Sequence, residues 1–108
     1  MTSRELLRIL LEYRPTYVRI KWRNHQYYAK DIQLLLHTRH GVLIEAVESL
    51  IRTYVVPLFI LFLQRLTREH PVYVHIKLPT IDEVADVCGY EYDADSSTLY
   101  LECGGEGC

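Results

Sequence analysis

Glycine is scarce through most of this 108-residue chain: three of its five glycines fall in the last five residues, leaving Gly41 and Gly89 in the body of the sequence. A loop that cradles phosphate through successive backbone N–H groups, or a strained turn that presents a nucleophile, needs glycines close together. Neither can be written here. Cysteine is short as well. Three residues, at 88, 103 and 108, make no disulfide framework and no Cys-x-x-Cys pair, so no structural zinc and no other metal site is expected. Long apolar runs are missing: Val55 to Leu63 is apolar throughout but is bounded by Arg52 and by Gln64-Arg65. A membrane span needs about 20 such residues, so no membrane partner is expected. The opening MTSRELLRILLEY is charged and amphipathic rather than leader-like, which makes the cytoplasm the expected location.

What is present points to one folded domain. A hydrophobic content of 49% beside 24% charged residues is that of a globule rather than a disordered chain. The expected domain spans 1–103, and CGGEGC leaves 104–108 as a flexible tail. Nine tyrosines supply apolar area with polar tips, suited to strands and interfaces. Arginine outnumbers lysine nine to three, with one Asn and three Gln, the bias of a heat-adapted source. Charge is unevenly spread. Residues 1–40 carry eight Lys or Arg against three acids, whereas residues 79–108 carry eight acids and no Lys or Arg. Such a split either steers partners or is neutralised when the two ends meet in space.

Several elements announce themselves locally. Thr2 and Glu5 have capping-box spacing, Leu6, Leu7, Leu10 and Leu11 make a stripe, and Pro15 ends that helix. TYVRIKWR alternates, with Val18, Ile20 and Trp22 on one face and Arg19, Lys21 and Arg23 on the other. A turn at Asn24-His25 returns QYYAK as a second strand, and DIQLLLHTRHG reads either as a short helix capped by Asp31 and ended by Gly41, the favoured reading, or as a continuation of that strand. From Val42 to Glu69 helical spacing dominates. A straight helix of that length runs about 42 Å at 1.5 Å per residue, too long for a globule of about 13 Å radius of gyration. Pro57 is therefore expected to kink it, and its apolar overhang to pack on a second copy. VYVHIKL is a strand, Thr80 to Gly89 a capped helix, and YEYDADSSTLYLEC a hairpin with Leu99, Leu101 and Cys103 inward. The fold expected is α+β: a mixed or antiparallel sheet of about five strands packed against a long, Pro57-kinked central helix, with short additional helices.

The chemistry these residues offer is binding rather than catalysis. The histidines at 25, 37, 40, 70 and 75 have no neighbouring nucleophile in a glycine-rich turn, so no catalytic residue and no cofactor is assigned. Asp93, Asp95 and Ser97 alternate like a calcium loop, but Thr98 stands where its glycine belongs and Gly104 where its glutamate belongs. Thr80 to Asp95 opens like a helix-turn-helix and then continues acidic and strand-like, which repels phosphate. Two surfaces remain. Tyr54, Val55, Leu58, Phe59 and Phe62 form a candidate self-association patch, which makes a homodimer the favoured assembly. Arg19, Lys21 and Arg23, with Tyr27, Tyr28 and Lys30, form a basic and aromatic hairpin that suits an acidic protein partner or single-stranded nucleic acid. The expectation is a small, non-catalytic, self-associating interaction module with opposite charge poles, with a nucleic-acid-binding protein and a small enzyme as alternatives.

Overall fold

The computed structural model describes residues 1–35, 41–48 and 54–104. Helix α1 (Ser3–Tyr13) starts where the capping pattern placed it: the Thr2 hydroxyl accepts from the Glu5 N–H at 3.3 Å. At its other end Arg14 turns left-handed, with φ 44°, and donates its N–H to the Leu10 carbonyl before Pro15. Leu6, Ile9 and Leu10 are buried, while Leu7 is half-buried and Leu11 exposed.

Strand β1 (Tyr17–Trp22) puts Val18, Ile20 and Trp22 inward, as its alternation requires. A two-residue turn at Arg23-Asn24, one position earlier than expected, leads into β2 (His25–Leu35). Tyr27 and Ala29 face inward, and a bulge between Ala29 and Asp31 shifts the pattern so that Ile32 is the next buried residue. After β3 (Gly41–Val47) come helix α2 (Val56–Gln64), then β4 (Val72–Leu78), β5 (Ile81–Asp93) and β6 (Thr98–Cys103). Pro79 sits in the two-residue β4–β5 turn, where its fixed φ suits the first position. The Asp93 carboxylate holds the β5–β6 turn by accepting from the Asp95 N–H and the Ser96 hydroxyl.

The six strands close into a barrel in chain order, with β3–β4 and β6–β1 parallel and the other pairs antiparallel. Closure leaves no unpaired sheet edge. The element order is helix–strand–strand–strand, twice. In each half the helix is followed by a tight hairpin, and the second strand carries a bulge, at Ala29/Asp31 and again at Val87/Gly89. Each helix begins beside the other half's first strand. Thr2 bridges Pro71 just ahead of β4, and Tyr54, just ahead of α2, is hydrogen-bonded to Tyr17 at the start of β1. The helices therefore lie side by side across the barrel end at which β1 and β4 begin. Leu6, Ile9, Leu10, Phe59 and Leu63 join the inward residues Ile20, Ile44, Ile76, Leu99 and Leu101 in one core.

This barrel overturns the α+β expectation of five strands and a long central helix. Val42–Val47 is strand β3, not helix: Val42, Ile44 and Ala46 face the interior, with neighbours bonded on both sides. A short run buried on both faces, as Leu43 shows, fits either period. Pro57 does not kink a helix. It lies in the first turn of α2, where its missing N–H costs nothing. Thr80 to Gly89 is no helix either; it belongs to the β4–β5 hairpin, whose pairing satisfies the backbone that a cap would have served. Asp31 to Leu35 continues strand β2, and the rest of the expected helix, at 36–40, lies outside the described residues. So does the expected 104–108 tail, apart from Gly104. No helix among the described residues is long and apolar enough to cross a membrane.

Candidate interaction site

Helix α2 has no charged residue between Val56 and Gln64, so nothing in its sequence marks an outer face. Packing chooses one. Val56, Phe59 and Leu63 turn inward, which leaves Pro57, Leu58 and Leu61 outward beside Tyr54. Tyr54 is 66% exposed, Leu58 64% and Leu61 45%. Helix α1 buries an equivalent inner stripe but turns Arg4, Glu5, Arg8 and Glu12 outward, with Arg8 and Glu12 paired at 3.2 Å. Where the end of α1 meets the start of α2 an open groove of about 420 Å³ lies between Arg14, Pro15 and Thr16 on one side and Tyr54, Val56, Pro57 and Ile60 on the other. One helix is dressed for water; the other is not.

The residues named for self-association therefore divide. Tyr54 and Leu58 are on the exposed face, Phe62 is half-buried, and Val55 and Phe59 lie in the core at 5% and 1% exposure. Leu61 and Pro57 belong to the same exposed face, and Pro15, itself buried, lines the adjoining groove. Leu61 was legible three positions after Leu58, whereas Pro15 comes from the other half of the molecule.

The basic hairpin divides as well. Tyr27 faces the interior, and Lys30 is exposed at the β2 bulge. Arg23 has φ 56° in the turn, and its guanidinium lies 4.6 Å from the Trp22 ring. Arg19 and Lys21 stand on the outer wall, where the parallel β1–β6 seam brings Tyr100 beside them. Arg19 lies over Tyr28 at 4.7 Å and 6.0 Å from Tyr100, while Lys21 lies over Tyr100 at 4.4 Å. Tyr100, 81 positions after Arg19, carried no local sign of this role.

The charge split meets itself across the barrel. Lys21 pairs with Glu91 at 3.1 Å and aligns with Glu102 across the seam, and Arg4 reaches Glu69 at 4.0 Å. Both ion pairs join the basic half to the acidic half, at exposed positions where each contributes little to stability. Elsewhere His75 bonds Asp82 on the β4–β5 hairpin. Tyr13 stacks on Tyr92 and packs near Tyr90, and its hydrogen bond with Tyr90 raises its pKa. Cys103, a buried free thiol between Trp22 and Val87, is pushed up to about 12 by desolvation and stays protonated at neutral pH. No group of three or more His, Cys, Asp or Glu among the described residues is placed to hold a metal ion.

Comparison of the chain with family models, with curated proteins and with solved structures found no match, so the reading of this surface rests on its own geometry.

Proposed function

We propose that the protein is a binding module rather than a catalyst, and that a second copy of the same chain occupies the outer face of α2. One observation carries this reading. Of two helices in equivalent places, α1 turns charges to solvent, while α2 exposes Tyr54, Leu58 and Leu61 beside an apolar-walled groove. Single exposed leucines are ordinary, but a contiguous apolar stripe with an adjoining groove is the mark of an interface. Knob and groove share one surface, so a two-fold axis places each copy's Leu58 and Leu61 in the other's groove between Pro15 and Ile60. Such a surface is self-complementary, as an isologous interface must be. It also carries no repelling charge along the helix. Burying a fully exposed leucine contributes about 1.5–3 kcal/mol; Leu58 and Leu61, 64% and 45% exposed, each contribute part of that, twice over in a dimer.

Light scattering after size exclusion tests this, at low and high salt with a reductant present. A dimer that persists in high salt, and that Leu58→Glu or Leu61→Glu converts to a folded monomer, is the expected result. A wild-type monomer at every concentration, or a dimer indifferent to both substitutions, overturns the proposal.

A further inference from the structure

The outer wall holds a second feature, independent of the α2 face. Arg19 projects from the middle of β1 into a small cleft of about 60 Å³ that it shares with Tyr17, Tyr28, Ser96, Thr98 and Tyr100. The rings of Tyr28 and Tyr100 lie by the guanidinium at 4.7 and 6.0 Å. Its Nε is buried and has no hydrogen-bond partner, and Arg19 joins no ion pair among the described residues. A buried donor without an acceptor is costly, more so in a cation. The rings meet the positive charge with their π-electrons, but they supply no carbonyl or carboxylate oxygen to the in-plane Nε–H donor.

The geometry points to a carboxylate as the missing partner: we infer that the Arg19 cleft is a carboxylate-binding site. A planar guanidinium edge matches two oxygens in the same plane. The volume suits a small group, since a water occupies about 10–15 Å³ on this measure. The remaining polar groups argue for a single, flat negative charge rather than phosphate. The Thr98 hydroxyl already donates to the Ser96 carbonyl, and the Ser96 hydroxyl to Asp93, so neither offers a hydrogen to an anion. The Asp93 carboxylate, held next to the cleft by Ser96, opposes any anion, and a double charge twice as strongly as a single one. The ligand's carboxylate comes either from a small organic acid or from a polypeptide terminus; the recognition chemistry is the same.

The test is an NMR titration of the full chain at constant ionic strength, following the Arg19, Tyr28, Thr98 and Tyr100 signals. The probes are acetate, propionate, inorganic phosphate, and a short peptide with either a free or an amidated C-terminus. Expected is saturable binding of acetate or propionate, with phosphate at least about tenfold weaker. Arg19→Gln abolishes binding, and Arg19→Lys, which keeps the charge and loses the fork, weakens it about tenfold. Lys21→Gln leaves it unchanged. Circular dichroism confirms the fold, and Arg19→Lys stands in if Arg19→Gln does not fold. A free-terminus peptide that binds more tightly than propionate, with no binding by the amide, makes the source a polypeptide; equal or weaker peptide binding makes it a small acid. Shifts that do not saturate, that persist in Arg19→Gln, or that phosphate matches overturn the inference. The dimer on α2 is read separately by light scattering, so either can fail alone.

Discussion

The two halves of the barrel are built alike and finished differently. Each supplies a helix, a hairpin with a two-residue turn, a bulged second strand and a parallel junction to the other half. Residues 1–48 carry eight basic and five acidic side chains, residues 54–108 three basic and nine acidic. In the first half four charges decorate the outside of α1; in the second, six of the nine acids sit on β5 and the turn after it, and α2 carries no charge at all. The inner faces answer to the shared core, so they converge. The outer faces answer to whatever lies outside, so they are free to diverge.

The inner faces should be equally intolerant. Phe59→Ala on α2 is expected to cost about 3–5 kcal/mol and Leu10→Ala on α1 about 2–5, read from urea unfolding midpoints. An inner face on either helix that tolerates truncation would show that the two do not share the core alike. Next comes the place where the second half ends on the first. Gly104 has φ 66°, and a Cβ there would lie 1.8 Å from Nε1 of Trp22. Gly104→Ala should cost about 2–3 kcal/mol from left-handed backbone and overpacking together, with altered tryptophan fluorescence.

The outer faces should separate the halves. Leu58→Glu should change monomer stability by no more than about 0.5 kcal/mol while abolishing self-association. Arg8→Glu on α1 should leave the assembly intact. The largest pH effect belongs to the second half, because the buried Cys103 thiol has no counterpart in the first. With its folded pKa about 12, above the unfolded thiol's, the folded chain holds a proton that the unfolded chain loses. The stabilisation is complete below the unfolded thiol pKa of about 8.5 and is lost as pH rises towards 12. Denaturation midpoints should fall across that window, less steeply in Cys103→Val, and the native thiol should resist a disulfide reagent until the chain unfolds. The smallest effect is expected at the seam. Lys21→Gln should cost about 0.2–1 kcal/mol through Glu91, and less at high salt.

Much of the first half was legible because its signals are local. Thr2 and Glu5 start α1, Pro15 stops it, and the alternation of Val18, Ile20 and Trp22 sets β1 in the right register. In the second half the same logic found Val72, Val74 and Ile76, and then Leu99 and Leu101. It failed for β3 and for the first part of β5. GVLIEAV fits a helix or a buried strand equally well, and Thr80 with Glu83 imitates a cap. What decided both was pairing: β3 with β2 and β4, β5 with β4 and β6. The candidate surfaces were half legible for the same reason. Tyr54 and Leu58 stand out in composition, but Phe59 next door is core. Arg19 and Tyr28 were visible as a pair, while Tyr100 joins them only because β6 closes on β1.

By itself the sequence determined where α1 starts and stops and which residues of β1, β4 and β6 alternate, because these depend on neighbours within about four positions. It also set the charge carried by each end of the chain. Barrel closure, the choice of α2's outer face, the meeting of Lys21 with Glu91 and the unpaired edge of Arg19 were decided only by the tertiary structure. Each depends on contacts between residues tens of positions apart, and a pattern of period two or 3.6 cannot say which distant strand will lie alongside.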